Sequence, residues 1–200
     1  MNVGREALSV GRLKRIAIYG GTFDPIHHGH LILARDACER LGLERLIFVP
    51  AAVSPFKPAT ATPGDLRLAM IRASIGGESK FVADDCELRR PPPSYAITTV
   101  EEIRSREGEA EYFFLIGEDN VTSLNQWHRF EELNKLIQFV VLDRSGTESP
   151  HEYPMISRKI DISGTEIRKR VASGVSIRYL VPAAVEDIIR QGNLYREGAK

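Results

Sequence analysis

Short apolar runs without polar alternation recur along the chain: Ile16-Ala17-Ile18-Tyr19, Leu46-Ile47-Phe48-Val49, Tyr112-Phe113-Phe114-Leu115-Ile116 and Phe139-Val140-Val141-Leu142. A strand that is apolar at every position is covered on both faces, which is the setting of a parallel sheet between two helical layers. Between the first two runs, Leu31, Ala34, Cys38 and Leu41 recur at spacings of three, four and three, the mark of an amphipathic helix. Arg35, Asp36, Glu39 and Arg40 fall on its other face, and Gly42 suits its C-terminal cap. The connections are short, so these pieces form one β-α-β unit, and the fold class is α/β with helices on both faces of a parallel sheet.

The rest of the chain extends the pattern. Thr62 reads as the N-cap of a helix with Pro63 at its first position. Phe81 to Leu88 reads as a further strand, and Pro91-Pro92-Pro93 as a rigid break after which Ser94 caps a helix reaching Arg106. A helical stretch covers Phe130 to Lys135. Residues 143–154 are loop-like, Ser163-Gly164-Thr165-Glu166 matches a capping box, and a last helix from Pro182 to Gln191 turns Val185, Ile188 and Ile189 inward. With no internal repeat, the expected organisation is a single domain over 1–200, its core at about 15–195.

Charge and cysteine content exclude several classes. The chain has 27 basic and 27 acidic side chains, so it lacks the basic excess with which nucleic-acid binders hold a phosphate backbone. Cys38 and Cys86 are isolated, which argues against a disulfide framework or zinc site. Neither a signal peptide nor an apolar run of membrane-spanning length is visible, so the expected setting is the cytosol, away from membranes.

Chemistry concentrates where the first strand ends. Open parallel sheets bind ligands at the carboxyl ends of their strands, and there lies Gly20-Gly21-Thr22-Phe23-Asp24-Pro25-Ile26-His27-His28-Gly29-His30. Glycines let a phosphate approach the backbone, Thr22 offers a hydroxyl, and His27 and His30 frame the start of a helix whose free N–H groups favour anions. A metal site built on the two histidines is the rival reading, yet only Asp24 is near in sequence to complete a ligand set, and no protein-held metal is expected. His28 reads as spacing. The stretch has neither the dinucleotide fingerprint nor a P-loop.

It does resemble, closely, the Gly-Gly-Thr-Phe-Asp-Pro-x-His-x-Gly-His motif of the nicotinate-nucleotide adenylyltransferase family. Ile162-Ser163-Gly164-Thr165-Glu166-Ile167-Arg168 resembles that family's Ile-Ser-x-Thr-x-Ile-Arg motif, with Gly164 where the superfamily commonly has Ser. Pro93-Ser94-Tyr95-Ala96-Ile97-Thr98-Thr99 resembles Pro-Ser-Tyr-Thr-x-x-Thr, with Ala96 in place of Thr. Leu115-Ile116-Gly117-Glu118-Asp119 with Trp127, the chain's single tryptophan, resembles Ile-Gly-x-Asp…Trp. Lys57 matches a basic position whose preceding His is here Phe56.

The resemblance implies a Rossmann-like doubly wound sheet of nucleotidyltransferase type with C-terminal helices. It implies adenylyl transfer from ATP to nicotinate mononucleotide, giving nicotinate adenine dinucleotide and pyrophosphate in NAD biosynthesis. The catalytic group it implies is Thr22, His27, His30 and Arg168. ATP would be held by these with Gly20, Gly21, Phe23, Lys57, Gly117, Asp119, Ile162, Ser163 and Thr165, and the mononucleotide by Tyr95, Ala96, Thr98, Trp127 and His128. Mg²⁺ held mainly by substrate phosphates would be the cofactor. A homo-oligomer is left open. The alternatives are another adenylyl- or cytidylyltransferase of the superfamily, such as a phosphopantetheine adenylyltransferase, and a non-catalytic nucleotide sensor.

Overall fold

The computed structural model describes residues 12–52, 62–146 and 151–196. Its strands are β1 (Lys14–Gly21), β2 (Arg45–Pro50), β3 (Phe81–Ala83), β4 (Ala110–Gly117), β5 (Gln138–Asp143) and β6 (Met155–Ser157). All pair in parallel, in the order β3-β2-β1-β4-β5-β6. Strand order reverses between β1 and β4, so the loops leaving those two strands diverge and open a crevice at their carboxyl ends.

The apolar runs pay out to both faces with a period of two. Ala17, Tyr19, Phe48, Phe113, Leu115 and Val140 join one core, covered by α1 (His28–Leu41), α2 (Gly64–Ile75), α6 (Gly164–Ala172) and α7 (Ala183–Gln191). Ile16, Ile18, Ile47, Phe114, Ile116 and Val141 join the other, covered by α3 (Cys86–Arg89), α4 (Ala96–Glu107) and α5 (Phe130–Leu136). The four long strands, the β-α-β unit, the Gly42 cap (φ 62°) and the doubly wound fold agree with the sequence reading. Among the described residues no helix is long and apolar enough to cross a membrane.

Five local expectations need correction. Thr62 is not an N-cap: Pro63 has extended ψ (145°), so helical geometry begins only at Gly64 and Thr62 lies buried one residue earlier. Likewise Tyr95, with ψ 131°, holds the cap position of α4 in place of Ser94, and no side chain caps that helix. The strand expected over Phe81 to Leu88 stops at Ala83; the Cys86 N–H donates to the Asp84 carboxylate (2.9 Å) and turns the chain into α3. Directly after the loop-like stretch, β6 begins at Met155 where no strand was expected, three residues being too few for a pattern. Asp36, placed on the polar face of α1, is buried and held by both Nε and Nη2 of Arg158 (2.5 and 2.8 Å), which fastens α1 to the segment after β6.

Candidate functional site: a crevice at the switch point

A cavity of about 640 Å³ opens where β1 and β4 end. Its wall includes Gly20, Gly21, Thr22 and Phe23 after β1, His27 and His30 at the start of α1, and Ser163, Gly164, Thr165 and Arg168 at the start of α6. The two helix beginnings therefore face one space. Arg168 Nη1 donates to the Asp24 carbonyl (2.7 Å), which joins α6 to the loop leading into α1, while Nη2 donates to Thr165 Oγ1 within α6 (3.3 Å); Ile160, ahead of α6, lies near Gly29. Ser163 Oγ accepts the Glu166 N–H (3.1 Å), one half of the expected capping box; the Glu166 carboxylate faces Arg170 (3.9 Å) instead of closing the other half.

Close approach explains two of the glycines. A Cβ on Gly21 would meet the Phe23 ring at 2.9 Å, and one on Gly164 would meet the Asp24 carbonyl oxygen at 3.1 Å. The Ser of the family pattern is thus replaced where α6 presses against the loop after β1.

The imidazoles stack, with centroids 3.7 Å apart, and His30 is further boxed by Phe23 and Tyr19 at 5.1 and 6.1 Å. His30 Nδ1 accepts the His27 N–H (3.2 Å), which leaves Nε2 as the protonated nitrogen of the neutral ring. Burial, then the nearby Arg144 and His28, pull the His27 pKa down to about 3. Burial, then His27 and Arg144, hold His30 well below the usual imidazole value. Without ligand both rings are neutral near pH 7 and act as hydrogen-bond groups. Among the described residues His27 Nδ1 is buried without a hydrogen-bond partner, a cost to the fold of about 1–3 kcal/mol.

The far wall carries Ser94, Tyr95, Ala96, Gly117, Asp119, Trp127 and His128. Trp127 is half-buried, edge-on to Phe114 and Phe139 (6.0 and 6.1 Å), so it is both anchored and facing the cavity. His128 is stacked on Tyr95 at 4.3 Å. The uncapped amides of the first turn of α4 lie beside this wall. Two expected site residues stand outside the lining: Thr98 is exposed on α4, and Ile162 takes part through its carbonyl, which accepts Arg144 Nη1 (2.8 Å). Lys57 and Phe56 lie outside the described residues.

Residues 18–170 match the model of the cytidylyltransferase-like family. A protein of Exiguobacterium sibiricum named a probable nicotinate-nucleotide adenylyltransferase is 40% identical over 186 residues, spanning 90% of this chain and 98% of that one. One of the same name from Methylacidiphilum infernorum is 41% identical, with 90% and 92% covered. The chain belongs to the nicotinate-nucleotide adenylyltransferase family. Its fold matches the Plasmodium falciparum nicotinic acid mononucleotide adenylyltransferase solved with NaAD, with TM-score 0.75, 22% identity and coverage of 91% and 97%. The structure of that Plasmodium protein with APC gives a TM-score of 0.70.

In this nicotinate-nucleotide adenylyltransferase relative, sequence reasoning missed Arg144, Glu87, Asn120 and Tyr195 as cavity residues. Arg144 had a readable signal, since it follows the last residue of an apolar strand at the ligand-binding edge. It is presented by a turn built on Asp143, whose buried carboxylate accepts from Ser157 Oγ (2.6 Å), Ser145 N–H and Oγ (both 2.7 Å) and Gly146 N–H (3.0 Å). Burial pushes the Asp143 pKa up, but these donors outweigh it and hold the group down at about 2. Tyr195, from the C-terminal end, donates its hydroxyl to Asp24 Oδ1 (2.5 Å); no local pattern could pair residues so far apart in sequence.

Proposed function

We propose that this chain transfers the adenylyl group of ATP to nicotinate mononucleotide, giving nicotinate adenine dinucleotide and pyrophosphate on the route to NAD. The observation that carries the reading is the shared cavity of α1 and α6, two helix N-termini converging on one space lined by His27, His30, Thr22 and Arg168. Such an arrangement suits a polyphosphate. The relatives' names supply the substrate pair.

An oxygen of the mononucleotide's 5′-phosphate attacks the α-phosphorus of ATP, and the bond from that phosphorus to the bridging oxygen breaks. A phosphate monoester has a second pKa near ~6 and is already ionised at pH 7, so no side chain has to remove a proton. The protein's work is alignment and charge neutralisation. Thr22, the His30 Nε2–H and Arg168 donate to phosphate oxygens, with Gly20 and Gly21 giving the backbone room and His27 supporting His30. Arg144 adds a cation on the same side. At the far wall Trp127 offers its face to the pyridine ring, flanked by Tyr95 and His128, and the amides at Ala96 receive the nicotinate carboxylate; Ala96 lacks a hydroxyl there but keeps its N–H.

The donor set also fits a magnesium ion. Among the described residues no three His, Cys, Asp or Glu side chains gather into a cage, while Asp119 brings a carboxylate to the cavity wall. A hard cation that takes most of its oxygens from phosphate and water suits such a site. Asp119 would complete its shell, and the ion would supply charge neutralisation on the phosphates. The single-domain organisation and cytosolic setting belong to the same proposal.

The test is purified protein with ATP, Mg²⁺ and nicotinate mononucleotide, followed by pyrophosphate release and by chromatography of the dinucleotide. Turnover with the acid faster than with nicotinamide mononucleotide is expected. No turnover with either, or equal rates with both, contradicts the reading or its substrate choice respectively.

A further inference from the structure

Arg67, on α2, stands outside every sequence motif and is 1% exposed. Its guanidinium donates to three main-chain carbonyls, Nε to Thr62 (3.2 Å), Nη1 to Thr22 (2.7 Å) and Nη2 to Ala51 (2.8 Å). These carbonyls belong to the entrance of α2, the loop after β1 and the loop after β2. Thr22 and Ala51 both line the cavity. One further bond joins the two loops, the Ala51 N–H to the Gly21 carbonyl (2.9 Å).

Stability alone gives no reason for a guanidinium here. Burying an ion is costly, and a packed apolar side chain commonly does as well. What only this group provides is a planar fan of donors that fixes three carbonyls at once. Burial weakens its hold on the proton, while Asp24, Tyr195 and Glu87 strengthen it. Asp24 is the residue whose carbonyl receives Arg168 and whose carboxylate receives Tyr195, so Arg67, α6 and the C-terminal end all converge on the loop that carries Thr22.

We propose that Arg67 is a positioning residue for nucleotide binding, holding the carbonyls of Thr22, Ala51 and Thr62 so that the loop after β1 keeps the shape that receives phosphates. The proposal rests on the adenylyl-transfer reading in taking ATP as that ligand. Among the described residues Arg67 makes no hydrogen bond to Tyr95, Trp127 or His128, and its three bonds go to the loops on the ATP side, so its main influence is expected there.

The experiment compares wild type with Arg67→Lys, which keeps the charge but gathers its donors at one point, and Arg67→Met, which keeps the bulk. Folded variants are expected to show a KM for ATP raised by about 10-fold or more, as small misplacements of binding groups do, with the KM for nicotinate mononucleotide within about 2-fold. An unchanged KM for ATP overturns the proposal. So does a rise in both constants that follows loss of thermal stability, the pattern of a merely structural residue. Should neither variant fold, the wild type decides by NMR: the Arg67 Nε–H resonance shifts in a saturable way as ATP and Mg²⁺ are added, and an unmoved signal overturns the idea. Calorimetric ATP binding separates the two proposals. Wild type that binds ATP but releases no pyrophosphate removes the reaction and leaves Arg67 to be judged on binding. A wild-type KM for ATP in Arg67→Lys removes Arg67 alone. Wild type that does not bind ATP removes both.

Discussion

His30 is the residue on which most local geometry converges. Its Nδ1 is committed to the His27 N–H, its faces to His27, Phe23 and Tyr19, and its remaining Nε2–H is the free donor. A donor fixed before the substrate arrives costs no reorganisation during reaction, and removing one typically costs at least ~10²-fold in rate. His30→Ala is therefore expected to lower the turnover number by ~10²-fold or more in the pyrophosphate assay while circular dichroism stays unchanged. Near-normal turnover would take His30 out of the mechanism. The residue types of this first loop were plain in the sequence, because eleven consecutive residues at a strand end carry them. Glu87 and Tyr195 were not, because each reaches the cavity from a separate segment.

Helices α1 and α6 open on one cavity, and α6 meets the loop that leads into α1 as a glycine against a carbonyl. With Gly164 Cβ placed 3.1 Å from the Asp24 oxygen, a side chain there has to move α6 by a few tenths of an ångström. The Arg168 bond to the same carbonyl would be disturbed with it. Gly164→Ala should reduce kcat/KM for ATP by roughly 10-fold, below the ~10²-fold of a full 1 Å displacement. Helix propensity favours alanine, by less at this first helical position than the ~1 kcal/mol of a helix interior, so the urea midpoint should stay near that of the wild type. Activity and stability moving down together would contradict this account. At this scale helix existence was legible from periodicity, whereas these starts slipped by one residue: Pro63 and Tyr95 keep extended ψ, and caps depend on backbone angles that composition does not encode.

The whole molecule carries the cost of its buried site. The unfolded chain protonates its histidines near the ordinary value of 6.5, whereas folded His27 takes a proton only near 3 and His30 well below 6.5. Between those values the unfolded state binds more protons, so lowering pH through 6.5 favours unfolding, by at most ~1.4 kcal/mol per pH unit for each group. Asp143, folded value about 2, adds its own loss only below the unfolded carboxylate range. The thermal midpoint is thus expected to fall from pH 7 to pH 5, and to fall less in His27→Gln. A midpoint that is flat or rises on acidification would refute the buried neutral pair.

By itself the sequence determined the α/β class, the four long strands, the helix faces and the two motifs at the strand ends. Those properties come from side-chain periodicity and from backbone groups close along the chain. Only the tertiary structure decided that α1 and α6 open on one cavity, that Asp36 is buried against Arg158, and that Arg67 ties together three carbonyls of two loops. These depend on how distant segments are stacked across a twisted sheet, and the partner of a buried charge is chosen by that stacking, through space, with nothing in the neighbouring residues to announce it.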